Sequence, residues 1–83
     1  MAEAIEKAEQ LRKDYQSVFN SESGKNVLED LKKVCFYYDT TINEMPHIMA
    51  FNEGQRGVIL HIQTKLKLTL EKIKELENDR GQI

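Results

Sequence analysis

The sequence has too few residues of several types to support whole classes of fold and site. It contains one cysteine, Cys35, so a disulfide within the chain is impossible. Cys35 and the two histidines, His47 and His61, cannot supply the four ligands of a structural zinc site. No stretch approaches the roughly 20 apolar residues that a membrane span needs. We therefore expect no metal ion, no cofactor and no membrane contact.

The charge of the chain is nearly balanced. Twelve basic and 14 acidic side chains give a formal net charge of −2. Binding to duplex nucleic acid normally needs a strong basic excess, so we do not expect nucleic acid as a partner. The N-terminal residues lack the basic start and apolar run of a secretion signal. A lone thiol also fits a reducing compartment, and these features together predict a soluble intracellular protein.

The length of the chain limits how well it can stabilise itself. Its 83 residues are enough for one domain, which we place at 1–83. A chain of this size buries only about 60% of its unfolded surface and is marginally stable alone. Small domains usually gain stability from disulfides, metals or oligomerisation. Because the sequence excludes the first two, we expect a homo-oligomer.

The first half of the chain predicts two helices. An apolar stripe with helical spacing predicts a helix over about 2–19, and its members are Ala4, Ala8, Leu11, Tyr15 and Val18. Serines and a glycine at 20–24 interrupt the pattern, and Ser21 or Ser23 is the expected N-cap of the next helix. A second stripe predicts that helix over about 22–36, with Val27, Leu28, Leu31, Val34 and Cys35 along it.

The last third predicts one long helix over about 53–80, with Asn52 as its N-cap. There is no proline from 54 to 80 and no glycine between Gly57 and Arg80. A heptad seam with steps of three and four runs through Ile59, Ile62, Leu66, Thr69, Ile73 and Leu76. A helix of about 27 residues would be about 40 Å long, against about 30 Å for a compact domain of this size. We therefore predict that its far end needs a partner.

These patterns together predict an all-α fold of three helices, in which the second and third form a helical hairpin. The seam of the long helix is the predicted oligomer interface, formed by Ile59, Ile62, Leu66, Leu70, Ile73 and Leu76. Thr69 within the seam and Leu70 beside it make a strict two-stranded coiled coil imperfect. A four-helix bundle built from two hairpins is an equally good solution.

Cys35, His47 and His61 are the residues that suggest a nucleophile and a base. A catalytic thiol must be activated, and its imidazole must be oriented by a third group. No such group is apparent, and Cys35 follows Val34 on an apolar stripe, where a buried, inert thiol is usual. We expect no catalytic residues and no enzyme activity.

The stretch 37–53 joins the two C-terminal helices and contains carboxylates but no lysine or arginine. Tyrosine is enriched at binding hot spots, so this stretch is a candidate partner-binding surface. The candidates there, together with a nearby basic residue, are Tyr37, Tyr38, Asp39, Glu44 and Arg56. The alternative is a small satellite core in which the aromatic side chains pack beneath the loop.

Two glycines, Gly54 and Gly57, flank Gln55 and Arg56 at the predicted start of the last helix. Free N–H groups at a helix start attract anions, and a guanidinium beside them would strengthen such a site. Alternatively, Gly57 lets another helix pack closely while Arg56 pairs with a carboxylate. The wider phosphate-loop signature is absent, which favours the structural interpretation.

Two segments resemble a family of small tailed-phage proteins. The first contains a phenylalanine, a glycine five residues later and a Val-Leu-x-Asp-Leu run, and the second a Gly-x-Arg-x-Val stretch that opens a helix. The matching positions are Phe19, Gly24, Val27, Leu28, Asp30, Leu31, Gly54, Arg56 and Val58. The resemblance covers about residues 15–66. It implies that Gly24, Asp30, Gly54 and Arg56 shape a shared fold, and we predict an ion pair between Asp30 and Arg56.

Members of that family are encoded among virion and packaging genes, which implies a structural or assembly role and no catalytic residues. We therefore expect a non-enzymatic, self-associating module of virion assembly or of the virion, located in the host cytoplasm, in the virion or in both. The alternative is an inhibitor that binds and blocks a host enzyme or defence complex through the acidic loop. A DNA-associated packaging factor is a weaker alternative.

Overall fold

The computed structural model describes residues 2–81, which form four α-helices. α1 is Ala2–Phe19, α2 is Glu22–Val34, α3 is Pro46–Lys67 and α4 is Leu70–Gly81. The described residues contain no β-strand. The predicted all-α class is confirmed, and the first two helices lie where the apolar stripes placed them.

The corner between α1 and α2 is short and is fixed by local contacts. Ser21 caps α2, because its Oγ accepts a hydrogen bond of 3.0 Å from the backbone N–H of Gly24. The same hydroxyl donates to the carbonyl oxygen of Val18 at 2.9 Å, near the end of α1. Gly24 is buried at this corner, where the first turn of α2 meets the backbone of α1. A side chain at Gly24 would collide with that backbone, so the corner requires glycine.

The end of α2 uses a left-handed residue that is not glycine. Phe36 has a φ of 61°, and the N–H of Tyr37 donates to the carbonyl of Lys32 at 3.1 Å. The N–H of Cys35 donates to Leu31 at 2.8 Å. This is the hydrogen-bond pattern that closes many helices, with the left-handed position usually taken by glycine. The turn redirects the chain into the irregular connection of residues 35–45.

The prediction of a single helix over 53–80 is wrong at both its start and its middle. α3 begins at Pro46, whose fixed φ suits a first helical position, so Asn52 is a buried residue inside the helix rather than its cap. The helix then breaks at Leu68, which is extended with φ −66° and ψ 144°. Thr69 caps α4 by accepting a hydrogen bond from the N–H of Lys72 at 3.1 Å. Residues 2–81 therefore form four helices rather than three.

The core lies where α1, α2 and α3 meet. Its fully covered apolar side chains are Leu28, Ile59 and Ile62. Partly buried residues pack around them, and these are Tyr15, Phe19, Leu31, Cys35, Tyr37 and Leu66. The break at Leu68 allows α4 to fold against α1, where Ile73 is buried to 3% exposure. The C-terminal half of α1 lies beside α3, and its N-terminal half lies beside α4.

The molecule is a thin slab with a large surface. It measures 46 × 37 × 14 Å, and its radius of gyration is 15.9 Å, compared with about 12 Å expected for a compact chain of this length. The accessible surface is 6252 Å², whereas a compact protein of this mass exposes about 5,100 Å². About 1,100 Å² of surface is therefore in excess of a compact fold.

Candidate interaction surface

An apolar groove of about 400 Å³ runs between α1 and α3. We call it the α1–α3 groove, and its lining residues are Leu11, Asp14, Tyr15, Val18, Phe19, Val58, His61 and Ile62. Asp14 is the one carboxylate in the lining, and its Oδ1 accepts a hydrogen bond from Gln10 at 2.9 Å. The groove is therefore suited to an apolar occupant.

Several side chains of the groove are left half exposed although they are strongly apolar. Leu11 is 46% exposed, Val18 is 57% exposed and Val58 is 56% exposed. Phe51, at 67% exposure, lies two turns before Val58 on the same side of α3 and extends the apolar surface beyond the end of α1. Exposed apolar surface of this kind is a candidate protein interaction site.

Aromatic contacts give the groove a fixed wall. The rings of Tyr15 and Phe19 stack with centroids 6.2 Å apart, and His61 approaches Tyr15 edge-on at 5.9 Å. His61 therefore belongs to the wall of the groove. Cys35 is a free thiol that packs against the core. Cys35 and His61 thus take part in different packing contacts.

Ion pairs between residues three or four positions apart run along α1. Arg12 Nε donates to Glu9 Oε2 at 2.8 Å, and a second guanidinium nitrogen contacts the other carboxylate oxygen. This hydrogen bonding lowers the pKa of Glu9 and raises the pKa of Arg12. Closer to the N-terminus, Lys7 lies 3.4 Å from Glu3 on an exposed surface. These local pairs keep α1 helical and leave its groove side to the apolar residues.

The predicted tyrosine surface is attached to α2. The Tyr38 hydroxyl donates to the two carboxylate oxygens of Glu29 at 2.8 and 2.9 Å, and this hydrogen bonding raises the pKa of Tyr38. Tyr37 packs edge-on against Tyr38 with ring centroids 5.1 Å apart, and Lys32 Nζ lies 5.2 Å from the Tyr37 ring. Tyr38 is exposed while Tyr37 is half-buried against the core, so the two tyrosines combine surface and packing roles.

The other predicted partner-binding residues are separated. Asp39 and Glu44 are exposed on the connection between α2 and α3, and Arg56 is half-buried on α3. The predicted ion pair between Arg56 and Asp30 is not formed, because the ion pairs of the described residues join other side chains. Asp30 is exposed on α2. The prediction of an Asp30–Arg56 link is therefore wrong.

The three glycines that were assigned structural roles differ in their surroundings. A Cβ atom on Gly24 would lie 1.7 Å from the carbonyl oxygen of Val18. A Cβ atom on Gly54 or Gly57 would meet nothing within 4 Å. The close helix packing predicted at Gly57 is thus not made within the chain, and it occurs at Gly24.

The predicted oligomer seam is largely internal. Within the single chain Ile59 is 0% exposed, Ile62 is 6% exposed and Ile73 is 3% exposed. Leu66 is half-buried, whereas Leu70 and Leu76 remain 36% and 46% exposed. α1 covers the seam from within the chain, because the break at Leu68 brings α4 back to it. In this conformation a partner could reach only Leu66, Leu70 and Leu76 of the predicted set.

The sequence patterns did not identify the groove residues as interaction residues. Leu11 and Val18 were placed only on the apolar stripe of α1, and Phe51 lies in the stretch 37–53 that was assigned to a connection between helices. The sequence does contain a signal for these residues. Phe51 and Val58 lie seven residues apart, next to the buried stripe of Ile59 and Ile62, so this segment has more apolar positions than one stripe needs. A helix with two adjacent apolar stripes has more apolar surface than one neighbouring helix covers.

A protein-family model described as Bbp19-like phage protein matches residues 15–78, which is 64 of the 83 residues. The matched range contains α2, α3, most of α4 and the last five residues of α1. The comparisons found no match among curated proteins and none among solved structures. Among residues 2–81, no helix combines the length and apolar character needed to cross a membrane. The resemblance to small phage proteins is confirmed, and the chain belongs to the Bbp19-like phage protein family.

Proposed function

We propose that this phage protein is a non-enzymatic module that associates with copies of itself in virion assembly or within the virion. The observation that supports this proposal is the open apolar groove on a chain with about 1,100 Å² of excess surface. In a standard protein interface each partner buries about 800 Å². The excess is therefore large enough for one such contact.

The α1–α3 groove is the proposed contact. Fully burying a Val, Leu or Phe side chain contributes about 1.5–3 kcal/mol, so each half-exposed side chain of the groove could gain about 1 kcal/mol on association. In a two-fold dimer each residue contributes twice, because both copies present the same surface. The gain is shared by Leu11, Val18, Phe51 and Val58, which are all at least 46% exposed.

The spacing of these residues favours a helical occupant such as a second copy. Leu11 and Val18 lie seven residues apart on α1, as Phe51 and Val58 do on α3. Side chains that repeat at this interval form the holes into which a neighbouring helix packs. The groove lining contains one carboxylate and no lysine or arginine, so two identical grooves can approach with little charge repulsion.

The test is the molar mass in solution, measured by size-exclusion chromatography with light scattering at tens of micromolar. We expect a dimer or a larger oligomer for the natural chain and a monomer for Val58→Glu, since the carboxylate would be buried in an apolar contact. Val34→Glu is the matched control, because Val34 is similarly exposed at 59% but lies on α2, outside the groove. A monomeric natural chain, or equal masses for both variants and the natural chain, would refute the proposal.

The setting of the association is tested separately. Mass spectrometry of purified phage particles should detect this chain together with capsid, portal or tail components if the module belongs to the virion. Recovery of one stoichiometric host protein from lysate, with no chain in particles or their precursors, would instead support an inhibitor of a host enzyme or defence complex.

A further inference from the structure

The break between α3 and α4 occurs in sequence that is compatible with an unbroken helix. Residues 58–80 contain neither proline nor glycine. The apolar steps of three and four continue in register across the break, from Ile62 and Leu66 to Ile73 and Leu76. Leu68, with an extended ψ of 144°, and Thr69 separate the two helices. Nothing in the local sequence prevents α3 from continuing into α4.

Local hydrogen bonds and the contact of α4 with α1 hold the break in place. Thr69 Oγ1 accepts a hydrogen bond from the N–H of Lys72, and the N–H of Leu68 donates to the carbonyl of Lys65 at 3.3 Å. Among the described helices, α4 packs against α1 alone. This contact buries Ile73, while Leu76 stays half exposed. α4 is therefore an arm attached to the rest of the chain through one face and a two-residue hinge.

We propose that two copies of this chain exchange α4, a proposal that rests on the self-association proposed above. In the exchanged form the 22 residues of α3, the two of the hinge and the 12 of α4 make one helix, about 54 Å long. This helix places α4 of each copy on α1 of the other copy. The N-terminal half of α1 is the docking surface, and α4 of the second copy is its occupant.

Three contributions set the free energy of the exchanged dimer relative to that of two single chains. The contact of Ile73 with α1 is remade between copies, so exchange loses no apolar burial at that site. The continuous helix also gains the backbone hydrogen bonds that are interrupted at the hinge. Short hinges between a docked element and its domain are the usual origin of such exchange. The opposing term is the loss of freedom on association, which a higher protein concentration offsets.

Leu70→Pro tests the exchange, with Leu70→Ala as its control. Leu70 is the first residue of α4, where proline is compatible with a separate helix. Inside a continuous helix the same proline removes a hydrogen bond and clashes with the preceding turn. Both continuous helices of the exchanged dimer carry the proline, so we expect the dimer dissociation constant of Leu70→Pro to rise at least about 10,000-fold, which corresponds to a cost of about 5.5 kcal/mol. Leu70→Ala removes the same side chain and should change the constant less than about tenfold.

Thr69→Ala provides a second variant with the opposite sign, because it removes the cap of α4 and favours the continuous helix. Both copies lose the cap, so we expect the dimer dissociation constant to fall about tenfold to 100-fold. In a mixture of isotope-labelled and unlabelled natural chains, nuclear Overhauser contacts between Ile73 of one copy and Ala8 of the other should appear. These two residues line the same cavity between α1 and α4.

The two proposals fail in different ways. If Leu70→Pro and Leu70→Ala dimerise equally, Thr69→Ala has no effect and no Ile73–Ala8 contact between copies appears, exchange is overturned. A dimer that still responds to Val58→Glu then leaves self-association through the groove intact. A natural chain that is monomeric at every concentration overturns both proposals.

Discussion

The sharpest prediction for the fold concerns the corner between α1 and α2. A Cβ atom added at Gly24 would lie 1.7 Å from the carbonyl oxygen of Val18, 2.7 Å from its carbonyl carbon and 2.8 Å from the Cα of Phe19. All three are backbone atoms, so no rotation of a side chain can relieve the clash. In Gly24→Ala the start of α2 must therefore move away from the end of α1.

The cost of Gly24→Ala follows from what this movement disturbs. It breaks the hydrogen bond from the Gly24 N–H to Ser21, and the loss of an N-cap costs about 1 kcal/mol. Displacing α2 from its packed position costs a further 1–3 kcal/mol or so, as in other overpacked sites. The better helix propensity of alanine returns about 1 kcal/mol. We expect a net loss of about 2 kcal/mol, against a total stability of about 4–12 kcal/mol for a chain of this length.

The assay is thermal and urea unfolding followed by circular dichroism, at one fixed concentration because association shifts apparent stability. The predicted loss lowers the melting temperature by about 8–16 °C. Gly54→Ala is the matched control, since its Cβ atom would meet nothing within 4 Å, and alanine should stabilise that helix by about 0.5–1 kcal/mol. If Gly24→Ala proves as stable as Gly54→Ala, the close approach at this corner is not a feature of the protein.

Two further predictions address the core and the tyrosine surface. Ile59→Ala should lower the free energy of unfolding by about 3 kcal/mol, because Ile59 is 0% exposed, whereas Ile42→Ala, at a residue that is 78% exposed, should change it by less than about 0.5 kcal/mol; equal urea midpoints for the two variants would contradict the assignment of the core. The hydrogen bond to Glu29 raises the pKa of Tyr38 in the folded state. The stability that this hydrogen bond contributes is therefore fully present at pH values below the unfolded pKa of about 10. The contribution is lost as pH rises through the raised folded pKa, and the natural chain should lose stability relative to Tyr38→Phe over that alkaline range; parallel stability curves for the two proteins would refute the linkage.

The sequence was a good guide to α1 and α2 because their limits are set locally. Serines and a glycine interrupt the apolar stripe after Phe19, and the structure selects Ser21 rather than Ser23 as the cap. The start of α3 was also marked, since Pro46 is suited to a first helical position. The prediction of Asn52 as an N-cap was wrong. Asparagine is typical of helix N-caps, so the local sequence does not distinguish an N-cap from an asparagine in the middle of a helix. The burial of Asn52 comes from tertiary packing.

The break at Leu68 could not be predicted from its neighbours. Leu68, Thr69 and Leu70 contain no residue that forbids a helix, and the apolar steps pass through them in register. The break exists because α4 docks on α1, a contact between segments about 65 residues apart in the sequence, and local propensity carries no information about it. For the same reason the heptad seam of Ile59 and Ile73 identified buried residues correctly but could not show that α1 of the same chain covers them.

The 14 Å thickness of the slab has a consequence for the lifetime of the protein in an infected cell. A chain with so small an interior has little reserve of stability. If copies associate as proposed, unassembled copies spend more time open to proteases than assembled ones. We expect degradation to remove surplus copies while assembled copies persist. The number of copies that persist would then match the number of binding positions in the assembly, without any dedicated regulator.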